Sequence, residues 1–278
     1  MADPRLPSEI DEYMIARGWP AHHARWHYEQ RHDFWRHRAA QGDENAAAIV
    51  AEAEAKGWGR GETQEGAAGH GLQFLSMHRA MLELLLEAFP QHADFFEGWP
   101  TPPRDPADPD DPVPDGAEFP ADKAEGVRLV ETGQRDFPDE DGYALFLETN
   151  IEPRPDDPTY RVPDGRRNLH NWLHNRWSDD ESPVDIGDPE RNLFNARFWR
   201  LHGWIDRLWT GYRSAWGLAD DDPGYRARID HHRHMMAHPH HHGMAEWSKR
   251  AGRAEAEAGA AEAMAPPGAM RHFFDGEG

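Results

Sequence analysis

The chain has 278 residues, a formal net charge of −21 at pH 7 and no cysteine. The lack of cysteine excludes disulfides, thiolate zinc sites, iron–sulfur clusters and cysteine nucleophiles. The negative charge argues against nucleic acid and anionic membranes as partners, and no apolar run approaches the roughly 20 residues of a membrane span. The soft metal-binding side chains that remain are 19 His and 9 Met.

The first residues, "MADPRLPSEIDEY", show neither the basic start nor the apolar centre of a secretory signal peptide. A cytoplasmic location is therefore expected. The 12 Trp and 12 Phe favour a compact, aromatic-rich interior, whereas 23 Pro and 25 Gly require long irregular segments. We expect a single domain over residues 1–278, with a core at about 8–240 and a His-rich and Ala/Glu-rich C-terminal extension at about 231–278.

Helical patterns begin near the N-terminus. They cover residues 8–17, 21–41 and about 43–56, and Asp43 is placed to cap the third helix. A glycine-rich stretch follows. The next helix carries "FLSMHRAMLELLLEAFP", whose nearly continuous apolar surface predicts burial and which ends before Pro90.

Residues 98–122 contain eight prolines among acidic residues, a composition that excludes regular structure. Candidate metal-binding histidines lie on both sides of this segment, so we interpret it as a loop within one domain. No strand alternation is present. The predicted fold is mostly α, a helical bundle with long irregular Pro/Asp-rich loops. Further helical patterns follow at residues 123–133, 140–150, 168–177, 190–216, about 223–236 and 245–265.

Two segments carry the strongest pattern for metal chemistry. In "NLHNWLHN", His170 and His174 are four residues apart and so share one helix face. In "FNARFWRLHGWIDRLW", Phe198, His202 and Asp206 form one stripe of a helix. Three neutral imidazoles on two packed helices would form a nitrogen site suited to copper, zinc or iron, and the lack of a carboxylate in the set favours copper over iron.

Each histidine also has an ordinary structural interpretation. His78 and His202 lie on apolar helices, where a lone histidine usually hydrogen-bonds a carboxylate. Asp206, one turn after His202, is placed to be that carboxylate. Next to a metal ligand it would orient the imidazole and fix its tautomer.

The segment "FWRLHGWIDR" resembles the second copper-site motif of the type-3 dicopper family, which comprises tyrosinases, catechol oxidases and haemocyanins. Phe198, Trp199, His202, Asp206 and Arg207 follow the order of that motif. "HNWLH" resembles the paired ligands of the same site. The chain departs from the family where "NA" replaces the usual Asp-Pro before the phenylalanine.

"FLSMHRAML" is similar to the first copper-site motif, with Met77 in place of the usual aromatic residue and His78 as the ligand. The likeness extends to the bacterial branch that includes the tyrosinase of pyoverdine maturation, whose substrate is a tyrosine within a peptide. The resemblance implies a helical bundle that holds two copper ions. The ligands it implies are His170, His174 and His202 at one site and His78 at the other. His23 and His27 repeat the four-residue spacing of the first pair, so we expect them to complete the site of His78. His70 is the rival ligand there, because the family pattern has a histidine about eight residues before the one that His78 matches.

The resemblance further implies a dicopper oxidase that uses O₂ to hydroxylate phenols at the ortho position, to oxidise catechols to o-quinones, or both. A small, natural-product or peptide-bound phenol is the expected substrate. Asn171 occupies the position of a family asparagine that helps to hold a water acting as base. The acidic partner of that water has no counterpart, because Arg161 stands there, and Asp164 is a candidate by proximity alone. An o-aminophenol oxidase and a non-catalytic carrier of O₂ or copper are alternatives.

Two C-terminal features remain open. The tract "HHRHMMAHPHHHGM", residues 231–244, either captures copper for the site or is simply solvated. A copper donor is accordingly an additional expected partner. In the tail, Phe273 and Phe274 either block the site or anchor the segment through apolar contacts.

Overall fold

The computed structural model describes residues 5–237 together with Met270, Phe273 and Phe274. Over these residues the chain is mostly helical and forms no β-strand, only two isolated bridges, which confirms the predicted fold class. None of the helices in this part of the chain is both long and apolar enough to cross a bilayer. The helices are α1 (Ser8–Ala16), α2 (Trp19–Gln30), α3 (His32–Ala40), α4 (Glu44–Ala55), α5 (His70–Ala88), α6 (Ala121–Thr132), α7 (Glu140–Glu148), α8 (Leu169–Arg176), α9 (Ala196–Trp216) and α10 (Pro223–Ala237).

Helix α5 is the centre of the bundle and packs against α7, α9 and α10. Helix α8 packs on α7 and α9, so the helices that carry His78, His170, His174 and His202 lie together. The main core is rich in aromatic residues, and Trp199, Trp204 and Trp209 of α9 are fully buried in it. A smaller apolar cluster joins α3 and α4 to the tail residues Phe273 and Phe274.

The prediction of one helix over residues 21–41 is wrong. The chain leaves helical geometry at Arg31 (φ −105°, ψ 12°), which separates α2 from α3. The Arg31 guanidinium is buried, pairs with Glu65 and donates from Nη1 to the Phe273 carbonyl at 3.0 Å. Because these partners are distant in sequence, the residues around Arg31 do not predict that the helix ends there.

The starts of α4 and α5 are fixed by hydrogen bonds to side chains, one local in sequence and one distant. Asp43 caps α4 as predicted, since its side chain accepts a hydrogen bond from Ala46 N–H. Helix α5 begins at His70, one turn before the predicted start. The Asp141 carboxylate of α7 accepts hydrogen bonds from Gly69 N–H at 2.7 Å and from the Leu72 N–H at 3.0 Å, which fixes that end of the helix.

The predicted helix over residues 190–216 is divided. A short 3₁₀ helix, Asn192–Phe194, precedes α9, and Asn195 caps α9 by accepting a hydrogen bond from Arg197 N–H at 2.9 Å. Asn195 is the residue at which the sequence departs from the family motif. Since asparagine and aspartate are equivalent N-caps, the departure preserves the start of the helix.

The acidic proline-rich segment is irregular over residues 98–120, as predicted. Its start crosses α9 so closely that a Cβ on Gly98 would lie 2.1 Å from Trp204 N, and one on Gly203 would lie 2.3 Å from Phe96 O. Arg207 then donates to the carbonyls of Glu97 at 3.1 Å, of Pro100 at 3.0 Å and of Trp99, at the start of this segment. The segment is thereby fixed beside the turn of α9 that follows His202. The predicted helix at 245–265 lies outside the described residues.

Candidate metal centre

Six buried histidines from four helices converge in the interior. In each of two groups of three, one ring nitrogen per histidine lies within 4.8 Å of the corresponding nitrogens of the other two. Each side chain is 0–5% exposed. We call His23, His27 and His78 the first histidine group, and His170, His174 and His202 the second histidine group. Both groups could hold a metal ion.

The two histidine groups are in direct contact. The rings of His78 and His202 stack with centroids 3.8 Å apart and an interplanar angle of 7°. The rings of His27 and His170 are also nearly parallel, at 6.2 Å. Phe198 packs against His202 at 4.2 Å. The arrangement is therefore one enclosed centre with two adjacent sets of nitrogen donors.

Backbone carbonyls fix the tautomers in the first histidine group. His23 donates its Nδ1–H to the Pro189 carbonyl at 2.9 Å, and His78 donates its Nδ1–H to the Phe74 carbonyl at 2.9 Å. A carbonyl oxygen can only accept, so the proton is on Nδ1 and the lone pair is on Nε2. The Nε2 of His23 lies 3.1 Å from that of His27, so the two atoms face one point.

The second histidine group is oriented in the same way. His174 donates Nδ1–H to the Ile186 carbonyl at 2.6 Å, and His170 donates Nδ1–H to Asn171 Oδ1 at 2.8 Å. The Nε2 atoms of both rings have no hydrogen-bond partner. Asn171 thus orients a neighbouring imidazole, and its expected role in holding a water stays a prediction.

His202 is held differently, and the expectation for Asp206 is wrong. Neither ring nitrogen of His202 has a hydrogen-bond partner. The Asp206 carboxylate instead accepts from Arg79 Nε of α5 at 2.5 Å, and Arg79 also donates to Thr210 Oγ1 at 2.7 Å. Asp206 is drawn toward α5 because Arg79 is nearly buried and needs an anionic partner. Burying an imidazole with both nitrogens unpartnered is costly, which indicates that a group absent from the protein chain completes the site.

The electrostatics of the centre favour neutral imidazoles. Burial lowers the pKa of every histidine in both groups, to about 3 for His23 and to about 4 for His174. For His27, repulsion from neighbouring histidines lowers the pKa further. Neutral imidazole is the form that binds a metal, so the centre is in its ligand state at neutral pH.

His70, the rival first-site ligand, belongs to neither group. Its Nε2–H donates to Glu148 Oε1 at 2.8 Å, and both side chains are almost completely buried. The Trp26 ring stacks on His70 at 5.8 Å. Burial raises the pKa of Glu148 to about 7. His70 is a structural histidine paired with a carboxylate.

The tail residues lie directly over the centre. The Phe274 ring stacks on His174 with centroids 4.6 Å apart at 20°, and its carbonyl accepts from Asn175 Nδ2 at 2.6 Å. Phe273 packs on Trp35 at 5.3 Å and is fully buried. Of the two interpretations left open, Phe274 has the position of a covering residue, and Phe273 has that of an apolar anchor.

The hydrogen-bond acceptors on the segment between α8 and α9 were not predictable from the sequence. The carbonyls of Pro189 and Ile186 orient one histidine of each group. Asp185 orders this segment, because its Oδ1 accepts from Asp179 N–H at 2.9 Å and from Gly187 N–H at 3.0 Å. Acidic turns of this kind are common, so the pattern alone does not identify a supporting loop.

Asp164, the candidate partner for a water at Asn171, is engaged elsewhere. Its carboxylate forms a two-pronged ion pair with Arg166, with both nitrogen–oxygen distances at 2.8 Å. Hydrogen bonds from Arg166 lower the pKa of Asp164.

A scan against protein-family models finds no match, and searches of the curated proteins and of the solved structures find none. The geometry by itself establishes two adjacent three-histidine groups, buried and neutral, in a helical bundle.

Proposed function

We propose that the chain is a dicopper oxidase that acts on phenols or catechols with O₂. The observation that carries this proposal is the contact between two buried three-histidine groups, whose His78 and His202 rings are 3.8 Å apart. Donor sets of imidazole nitrogen with no carboxylate suit copper better than magnesium, calcium or manganese. When bound, a copper pair would bind O₂ and accept the two electrons removed from the substrate.

The chain's own residues prepare the donors. The Nδ1–H groups of His23, His78 and His174 are bound to backbone carbonyls, so their Nε2 lone pairs are held ready. His202 has no such anchor. Stacking on His78 and packing on Phe198 hold its ring in place. The surrounding apolar core excludes water, which prevents protonation of the imidazoles and strengthens every charge interaction in the site.

Proton handling favours catechols over monophenols as substrates. Hydroxylation of a phenol requires a base, and the expected base is a water near Asn171. The candidate carboxylate for that water, Asp164, is occupied by Arg166. A catechol or an o-aminophenol needs only oxidation, so we place these substrates ahead of phenols.

A second candidate is a non-catalytic carrier of O₂ or copper. The observation that favours it is the cover: Phe274 is 1% exposed and stacks on His174. With that ring stacked on His174, a substrate ring cannot occupy the same face of this imidazole.

The test uses the copper-loaded full chain. We expect two coppers per chain by metal analysis and a paired centre that is silent in electron paramagnetic resonance when oxidised. Oxygen uptake is then measured with a phenol, a catechol and an o-aminophenol. His78→Asn should reduce the copper content to one and abolish oxidation, because Nε2 is lost from the first histidine group.

His70→Asn is the matched control, since His70 is on the same helix and equally buried but pairs with Glu148. It should retain two coppers. The proposal is contradicted if the wild-type chain binds one copper ion or none. It is also contradicted if the His78→Asn variant still binds two. Two coppers without uptake of O₂ on any substrate, even after removal of the cover, would favour the carrier.

A further inference from the structure

A second set of soft donors lies outside the buried centre, at a cavity of about 160 Å³ between α2 and α10. His22 of α2 and His231, His232 and Met235 of α10 line it, and Trp26 forms part of its wall. Neither the buried histidine groups nor their supporting loop uses these four donors.

Helix α10 presents three of the donors on one face. His231 and Met235 are four residues apart and His232 and Met235 are three apart, spacings that bring side chains together on a helix. The rings of His231 and His232 lie 5.3 Å apart. Trp19 Nε1 donates to the Met236 carbonyl at 2.9 Å, which fixes this end of α10 against α2.

The chemistry of the donors selects a soft monovalent cation. Imidazole nitrogen with thioether sulfur is a donor set for Cu(I), whereas hard cations prefer oxygen. Arg25 and Glu29 also line the cavity, and they pair with each other at 2.8 Å, so the arginine charge is offset. The net charge of −21 draws cations toward the whole molecule.

The cavity is adjacent to the first histidine group. The Trp26 ring that lines it contacts the His27 ring at 4.9 Å and the His78 ring at 6.2 Å. His22 immediately precedes His23 on α2, so one helix carries a donor for the cavity and a donor for the buried centre. The Trp26 indole therefore borders both the cavity and the first histidine group.

The spacing of the donors differs from that of the buried groups. The close grouping within 4.8 Å found in the two buried groups is not found among the cavity histidines. His231 is exposed and His22 is half-buried. Donors that are this exposed and widely spaced favour weak, rapidly exchanging binding of an ion over tight binding.

We propose that this cavity is a loading site, in which His22, His231, His232 and Met235 bind one Cu(I) ion and pass it past Trp26 to the first histidine group. The ion moves without a change in oxidation state. The transfer half of this proposal rests on the proposed copper function, whereas the binding half stands without it.

The experiment titrates the full apo chain with Cu(I) under anaerobic conditions, against a chromophoric Cu(I) chelator. The cavity variant combines His231→Ala, His232→Ala and Met235→Leu. The control variant combines His240→Ala, His241→Ala and His242→Ala, which removes three histidines of the same sequence tract. We expect the wild type to bind a third, weaker equivalent beyond the two buried ions.

The cavity variant should lose that third equivalent and fill the buried centre about tenfold more slowly, yet reach the same final two coppers. The control variant should match the wild type in both respects. X-ray absorption at the copper edge should show a sulfur scatterer at three equivalents that Met235→Leu removes.

The proposal is overturned if the cavity variant loads copper as fast as the wild type and binds as many ions. It is also overturned if the control variant, and not the cavity variant, loses the third equivalent. If the buried centre takes up no copper while the sulfur signal is present and lost in Met235→Leu, the proposed oxidase function fails and the metal site stands. If the buried centre fills normally and no sulfur signal appears, the loading site fails and the oxidase proposal is untouched.

Discussion

Five of the six histidines of the centre are held by two different means. His23, His78, His170 and His174 each donate Nδ1–H to an oxygen, which fixes both tautomer and ring angle. His202 is positioned by packing alone. The identity of the residues around it, rather than hydrogen bonding, decides where its nitrogens point.

The buried pair of His70 and Glu148 makes the unfolding free energy depend on pH. Burial raises the pKa of Glu148 from 4.5 to about 7. Burial opposes protonation of His70, but the Glu148 carboxylate outweighs it and raises the His70 pKa above 6.5. Both shifts mean that the folded chain binds more protons than the unfolded chain, so this pair loses stability as pH rises from about 4.5 through 7.

Glu148→Gln removes that contribution. Relative to the wild type, its unfolding free energy should rise between pH 5 and 7 by on the order of 1 kcal/mol per pH unit. Urea unfolding at a series of pH values measures this difference. Glu125→Gln is the control and should not show this rise, because the hydrogen bond from Arg128 lowers the Glu125 pKa, the opposite shift. A difference that falls with pH for Glu148→Gln would contradict the assignment.

The individual site histidines were predictable because the signals are local. A pair four residues apart and a short motif around His202 are visible in the sequence without knowledge of the fold. The partners of these histidines were not predictable. The Pro189 and Ile186 carbonyls have no side-chain signature, and Asp206 pairs across the bundle with Arg79 rather than along its own helix.

Helices α5 and α9 are tied together by Arg79, the residue that follows His78. Its guanidinium donates to Asp206 and Thr210 of α9 and to the Tyr225 hydroxyl of α10. The contact between the two histidine groups depends on the same pair of helices. An interhelical ion pair thus links the two helices that carry His78 and His202.

Arg79→Met should lower the unfolding free energy by about 1–3 kcal/mol, because it leaves Asp206 without its charged partner. Arg128→Met, which disrupts the exposed pair with Glu125, should change it far less, because solvent screens that pair. Chemical denaturation of both variants provides the measurement. Equal effects would show that the ion pair between the helices contributes no more than an ordinary surface pair.

The helices themselves were predictable, and their ends were not. Apolar periodicity located almost every helix, and Asp43 was identified as a cap from its own neighbours. The break at Arg31 depends on Glu65 and Phe273, and the start of α5 depends on Asp141. In each case a residue distant in sequence decides where a helix begins or ends.

At the scale of the whole molecule, Phe274, which lies far along the chain from the six histidines, covers the centre by stacking on His174. The long irregular acidic segment was predictable from its prolines. The convergence of four helices was predicted from the family resemblance together with the repeated four-residue spacing of His23 and His27. Apolar periodicity did not contribute, because it does not say which helices are neighbours. The single-domain interpretation stays a prediction.

Removal of the cover should open the centre to aromatic substrates. In Phe274→Ala the space beside His174 is freed, so we expect a fall of about tenfold in KM for a catechol with little change in kcat. Phe119→Ala, which removes a ring that packs on Trp172, is the control and should leave both constants unchanged. Oxygen-uptake kinetics measure both. Identical constants for Phe274→Ala and the wild type would show that the ring does not restrict access.

The position of the cover has a consequence for the order of events during synthesis on the ribosome. His202 completes the second histidine group, and Phe274 comes much later in the chain. At about 5–20 residues per second, several seconds pass between the synthesis of these two residues. All six histidines of the centre are therefore synthesised before the covering ring.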